Sequence, residues 1–280
     1  MRDLAGRVAV VTGGAGGIGR GMALAFAEIG MHVVIADIDE ALAKSTASEI
    51  EALGSRVLAQ RVDVVKRDEV DALAEKVWRD LGGAHLLCNN AGVTTFGLMC
   101  DGIPDRDWEW VLAVNLQGVV NGIQAFVPRM RELQGEKHVV NTASIAGIAP
   151  GVFVGPYAAS KHAVVGLSET LREEGAAHGI SCSALCPNAV DTGIVDADRN
   201  RQVEFGGPTG AGNEMVAGFV AAGLAPLHVG RMVRQAVIDD LPFIFTHADT
   251  RQLVDARYQR MQECFAWSDR WWAENPDAAD

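Results

Sequence analysis

Tyr157 and Lys161 stand four positions apart, and on a helix that spacing places both side chains on one face. A phenol with a pKa of about 10 is a poor base at neutral pH, but a neighbouring ammonium stabilises the phenolate, so the pair can share and pass a proton. The chain has only two tyrosines, which makes the spacing informative; the plain alternative is a surface pair. A second group is the glycine-rich stretch Gly13, Gly14, Gly16, Gly17 and Gly19, with Ile18 inside it. Such a turn bends sharply, lets the backbone approach a pyrophosphate, and offers free N–H groups at a helix start. Asp37 follows 24 residues after Gly13, where a carboxylate can accept both ribose hydroxyls of NAD and repel the 2′-phosphate of NADP. The alternatives are a turn that only packs helix on strand and a solvated loop acid.

These residues need a scaffold, and the apolar pattern supplies one. Short strand-like runs at residues 7–11, 31–37, 56–62, 84–89, 138–142, 181–186 and 242–246 alternate with helical stretches. The helices are expected at 20–29, 41–53, 66–81, 105–133, 157–178 and 230–239. Strands separated by helices require crossovers, so the sheet is expected to be parallel, doubly wound and covered on both faces. Ser144 then follows the fifth strand at its carboxyl end, where ligands bind in open parallel sheets, and its hydroxyl can bond a substrate oxygen. One domain, 1–280, is expected. It carries an irregular glycine-rich segment at about 188–226 and a helical extension at about 250–275.

With these motifs in order, the chain resembles the short-chain dehydrogenase/reductase family over residues 4 to about 192. The likeness rests on Thr12-Gly13-x-x-x-Gly17-x-Gly19, Asp63-Val64, Asn89-Asn90-Ala91-Gly92, Asn115, Ser144 and Tyr157-x-x-x-Lys161. It implies a single Rossmann-like α/β domain with a doubly wound sheet of about seven strands and an NAD-dependent alcohol dehydrogenase or ketone reductase. It further implies that Tyr157 is the acid/base, Lys161 lowers its pKa and holds the ribose, Ser144 polarises the substrate oxygen, and Asn115 places a water in a proton relay. Asp63 and Val64 would meet adenine, and Asn90, Ala91 and Gly92 would floor the nucleotide site. Pro187, Val190 and Thr192 would meet the nicotinamide end. The family's Pro-Gly after the sixth strand reads Pro187-Asn188 here; asparagine tolerates the left-handed backbone that glycine allows, so the turn is expected to survive.

The substrate side falls to residues 93–99, 146–154 and 188–227, where Phe96, Leu98, Met99, Ile148, Val152, Phe153 and Ile194 are apolar. Such a lining suits a neutral, fairly bulky secondary alcohol or ketone, although many of these residues could simply pack. Parts of the chain also resemble bacterial dehydrogenases that oxidise the benzylic carbinol of lignin-derived aryl ethers. In the tail, Val254, Tyr258, Met261, Phe265 and Trp272 form a helical stripe that would cover a core, a subunit interface or the substrate pocket. A homo-oligomer, dimer or tetramer, is implied by analogy with the family.

Composition narrows the rest. The 36 acidic residues against 24 Lys and Arg give a net charge of -12, which disfavours nucleic acid. The N-terminus lacks a signal-peptide pattern and no uninterrupted apolar run reaches about 18 residues, so a cytoplasmic protein without a membrane span is expected. Five cysteines without a CxxC pair, and seven scattered histidines, signal neither disulfides nor a metal site. Two other readings remain open: an NADP-dependent carbonyl reductase, and a non-catalytic nucleotide sensor or scaffold on the same fold.

Overall fold

The computed structural model describes residues 1–210 and 214–276. It falls into two units, Met1–Thr246 and His247–Asp280. The first contains seven strands, β1 (Val8–Thr12), β2 (His32–Asp37), β3 (Val57–Arg61), β4 (Leu86–Asn89), β5 (Lys137–Thr142), β6 (Ile180–Cys186) and β7 (Phe243–Phe245). They form one sheet in the order β3-β2-β1-β4-β5-β6-β7, with every adjacent pair parallel. The sheet is the expected doubly wound α/β arrangement. Its order reverses between β1 and β4, and open sheets bind ligands at the carboxyl ends of strands flanking such a point.

Burial explains the strand pattern. β1, β4 and β5 are buried along their whole length, because helices cover both faces of a parallel sheet. In β1, Ala9 and Val11 join one core with Phe26, Met31, Ile50 and Val233. Val8 and Val10 face the other core with Leu73, Phe126 and Met130, as the two-residue period requires. The covering helices are α1 (Gly17–Ala27), α2 (Glu40–Ala52), α3 (Arg67–Leu81), α4 (Asp105–Leu112), α5 (Gly118–Met130), α6 (Gly155–Gly175), α7 (Glu214–Ala221) and α8 (Pro226–Ile238).

Three local readings change. The long helix expected at 105–133 is broken by a π turn, Ala113–Gln117, between α4 and α5; an apolar period of 3.6 does not reveal an inserted residue. By length and composition Asp105–Met130 could cross a membrane, but 56% of its apolar window is buried inside the fold, and Trp110, Val111 and Phe126 are fully covered. The segment expected to be irregular contains α7 and two 3₁₀ stretches, Gly193–Asn200 and Val203–Phe205. Its residues 211–213 lie outside those described. Finally, Asn188 does not take the left-handed backbone, since Phe153 and Asp240 are the non-glycine residues with positive φ among those described. The second unit contains α9 (Arg251–Glu274), on which Trp271 and Trp272 meet edge to face with ring centroids 4.8 Å apart.

The helix that carries the glycine turn is held by a close backbone contact. A Cβ on Gly21 would lie 2.1 Å from the Pro226 carbonyl oxygen, and one on Gly230 would lie 2.1 Å from the Gly21 oxygen. α1 and α8 therefore touch backbone to backbone. Gly21→Ala should force them apart and destabilise the fold by about 1–3 kcal/mol, read as a lower urea midpoint; an unchanged midpoint would contradict the contact.

Candidate active site

The site begins at the carboxyl edge of the sheet. Gly13 (φ +60°) and Gly17 (φ +49°) have left-handed backbones, and added Cβ atoms would fall 2.8 Å from Ala91 Cα and 2.9 Å from Thr192 Cγ2. The turn is thus a tight cradle between the β4 loop and the β6 loop. No side chain caps the start of α1, and its first turn carries no acid, so its N–H groups are available to an anion. Gly16 is the N-cap in extended conformation. Ile18 packs on the first core, whereas Gly19 is buried. Asp37 ends β2, and its carboxylate accepts from Ala15 N and from Asp39 N, both at 3.0 Å. Burial raises its pKa against those backbone bonds.

Asn90 ties the turn to the strand that leads to Ser144. Its Nδ2 donates to the Thr12 and Gly13 carbonyls at 3.1 and 3.2 Å, and its Oδ1 accepts from Thr142 Oγ1 at 3.1 Å. Thr142 ends β5, and its carbonyl accepts from Lys161 Nζ at 2.7 Å. Lys161 Nζ also lies 5.5 Å from the centroid of the Tyr157 ring. A Cβ on Gly92 would sit 3.4 Å from both Lys161 Nζ and Asn115 Oδ1, so the backbone at Gly92 lies close to the lysine. These residues fit a dinucleotide: a cradle at the turn, a carboxylate at β2, and a lysine held at the end of β5.

Ser144 follows β5 and caps a short 3₁₀ turn, its Oγ accepting from Ala146 N at 3.1 Å. Pro187 O holds this loop by accepting from Ile145 N at 2.9 Å. Ser144 also hydrogen-bonds the Tyr157 side chain, which lowers the phenol pKa, but burial is the larger influence and raises it. The lowering anticipated from Lys161 is not what the chain alone provides. Burial moves Lys161 as well, down to about 8, so both groups are pushed towards their neutral forms.

Asn115 sits in the π turn, fully buried. Its Oδ1 accepts from Val93 N at 2.8 Å, and its Nδ2 donates to Val93 O at 2.9 Å and Ser160 Oγ at 3.1 Å. Ser160 Oγ in turn donates to the Tyr157 carbonyl at 2.7 Å. The side chain therefore fastens the Val93 segment to the Tyr157 turn. Sequence reading missed Thr142 and Ser160; the strand end and the position beside Lys161 were the available signals. It also missed Cys186, a buried thiol near Lys161 that burial pushes up to about 12.

Other expected residues are more dispersed. Val190 is 4% exposed and part of the first core, while Leu224 bonds Ala189 O and Asp191 N. Only the backbone of Val190 is thus free to serve a ligand. Thr192 lies over the glycine turn. Asp63 and Val64 follow β3, with Val64 buried beside Trp110 and Val114. Phe153 is exposed with φ +69° and pairs its carbonyl with Gly97 N at 3.0 Å, joining the 93–99 and 146–154 segments. Phe96 and Ile194 are half-buried, Phe96 in the 93–99 loop and Ile194 in the 3₁₀ stretch Gly193–Asn200. Among the described residues no three His, Cys, Asp or Glu side chains converge on a common point.

A sequence profile described as short chain dehydrogenase matches residues 7–203. The chain belongs to the short-chain dehydrogenase family. A C alpha-dehydrogenase from a Sphingobium species is 31% identical over 271 residues, 95% of this chain and 88% of that protein. A probable oxidoreductase of Mycobacterium tuberculosis, EphD, is 43% identical over 185 residues, 66% of this chain but 31% of its own length. A solved short chain dehydrogenase/reductase from Burkholderia phymatum, in complex with NAD, superposes with a TM-score of 0.88 at 36% identity, covering 94% and 96% of the two chains. This short-chain dehydrogenase is accordingly an oxidoreductase of the alcohol dehydrogenase type.

In this dehydrogenase the folded pKa of Lys161, about 8, lies below its ordinary 10.5. The unfolded chain therefore binds more protons between those values, and the contribution of Lys161 to stability improves as pH rises through that window. NMR of ¹³C-labelled lysine should show one resonance, absent from Lys161→Arg, titrating near pH 8; a Lys161 resonance titrating with the exposed lysines would contradict the buried setting.

Proposed function

We propose that the protein oxidises a neutral, hydrophobic secondary alcohol, of the aryl carbinol class, with NAD as acceptor, and runs the reverse ketone reduction. The observation that carries this reading is the gathering of Ser144, Tyr157 and Lys161 at the carboxyl ends of β5 and β6, with Lys161 bonded to Thr142 O. A bound nicotinamide ring supplies the acceptor for the hydride leaving the carbinol carbon.

The chain's own residues manage the proton. Ser144 Oγ orients the carbinol oxygen, and Tyr157 takes the hydroxyl proton as phenolate. Burial opposes that phenolate, so the protonated Lys161 and the positive charge of an oxidised cofactor are needed together to stabilise it. Because the Asn115 side chain is committed to Val93 and Ser160, its relay role falls to the main chain of the π turn, where a water can be held. Gly13, Gly16, Gly17, Ile18 and Gly19 would receive the pyrophosphate, Asp37 the adenosine ribose, Asp63 and Val64 the adenine. Asn90, Ala91 and Gly92 would line the floor, with Pro187, Val190 and Thr192 at the nicotinamide end. The exposed Phe153 and half-buried Phe96 and Ile194 suit an aromatic substrate. The C alpha-dehydrogenase of Sphingobium and the NAD complex of the Burkholderia protein support the same direction. The reading extends to a cytoplasmic homo-oligomer acting on a small molecule.

Asp37 carries the cofactor preference, since its carboxylate is fixed by two backbone bonds and would face a 2′-phosphate without a neutralising cation. With a panel of benzylic and cyclic carbinols, reduced nicotinamide should accumulate with NAD, and Asp37→Ala should shift the NAD-to-NADP ratio of kcat/KM towards NADP by about tenfold or more. A wild-type preference for NADP would favour the carbonyl reductase reading; no turnover with either cofactor across the panel would favour a nucleotide sensor.

A further inference from the structure

The segment after β6 touches the nucleotide half of the fold at two separated places. At one end Thr192 lies over Gly17 in the glycine turn. Ten residues later, Gln202 reaches the carboxyl end of β3. Its Nε2 donates to both oxygens of Asp63 at 3.0 Å, and its Oε1 accepts from Trp110 Nε1 at 3.0 Å. Asp63 Oδ1 also accepts from Val65 N at 3.1 Å, and the residue is 4% exposed.

Arg201, with 3% of its side chain exposed, reinforces the same place. It lies 2.6 Å from Asp107 and 3.7 Å from Asp198, donates through Nε to Phe205 O at 2.9 Å, and stacks 4.9 Å from the centroid of Trp110. Glu204 adds an ion pair with Lys66. Beneath these polar contacts Ala197 and Phe205 pack in one apolar cluster with Val64, Val93, Trp110, Val114 and Tyr157. The segment is therefore fastened at α4 and beside β3, and its apolar side joins the cluster against which Tyr157 also packs.

We propose that Gln202 is a positioning residue: it straps the segment 193–205 to the Asp63 carboxylate and so holds the substrate-side wall against the Tyr157 cluster. The proposal rests on the reading of that segment as substrate-facing. Gln202 joins the loop after β3 to α4, giving the indole N–H of Trp110 a buried acceptor and the Asp63 carboxylate a donor on each oxygen beside its bond from Val65 N. Trp110 is held on one side by Arg201 and at its N–H by Gln202, so losing the amide loosens both. Two different polar contacts and an apolar underside point the strap in one direction, which an exposed ion pair such as Lys66–Glu204 would not do by itself.

The strap can be tested without cofactor or substrate, by limited trypsin digestion of the full chain with cleavage after Arg199 and Arg201 identified by mass spectrometry. Gln202→Glu sets two carboxylates against each other and should speed cleavage by about tenfold or more. Gln202→Ala, which removes the bonds without adding charge, should speed it less. Combining Gln202→Glu with Asp63→Asn recreates an amide–carboxylate pair with its polarity reversed and should return cleavage to near the parent rate. With a carbinol that the enzyme oxidises, Gln202→Ala should raise KM by about tenfold while kcat stays within about threefold. Parent-like cleavage in both single variants, or no recovery in the exchanged pair, would overturn the strap. A strap confirmed by digestion alongside no carbinol turnover would instead overturn the enzymatic reading.

Discussion

Thr142 is the joint on which the candidate site depends. It ends the fully buried β5, and its carbonyl holds Lys161 Nζ at 2.7 Å while its hydroxyl holds Asn90 at 3.1 Å. Asn90 passes the link to the carbonyls of Thr12 and Gly13. One strand end thereby fixes both the lysine beside the phenol and the glycine cradle. The parallel sheet makes this possible: β1, β4 and β5 are adjacent and end together, so three loops converge where their polar backbone groups need partners.

The same burial that fixes the geometry sets the electrostatics. Tyr157 is raised, Lys161 is lowered to about 8, and Asp37 is raised; each is moved towards its neutral form because solvation is lost. Under the proposed function, a cationic ring beside Tyr157 would stabilise the phenolate and ribose hydroxyls would add donors at Asp37, so that cofactor occupancy would be coupled to proton transfer. The second chain of bonds, Val93–Asn115–Ser160–Tyr157, holds the phenol's helix from the other side. Gln202 and Arg201 fasten the 193–205 segment beside that assembly.

Much of this was legible in the sequence for a physical reason. Short, valine-rich apolar runs such as Val8–Thr12, bounded by glycine, suit central strands, and glycines between strand and helix mark the cradle because side chains there would collide with Ala91 and Thr192. The Tyr157 and Lys161 spacing survived because both lie on α6. What stayed hidden depends on tertiary contact. The π turn at Asn115 leaves the apolar period intact, Thr142 and Ser160 are ordinary residue types, and the ordered turns within 193–205 are stabilised by Asp63, Asp107 and Trp110, which are distant in sequence. The direction of the Tyr157 shift was hidden too, because burial outweighs the neighbouring polar groups.

The central claim is that Tyr157 moves the proton in carbinol oxidation while the glycine turn and Asp37 bind the dinucleotide without it. The most direct measurement compares wild type with Tyr157→Phe, pairing NAD titration by calorimetry with single-turnover absorbance of reduced nicotinamide. The account predicts similar NAD affinity in both proteins and a loss of turnover of about 10²-fold or more in the variant. Turnover at the parent rate in Tyr157→Phe, with NAD still bound, would contradict it.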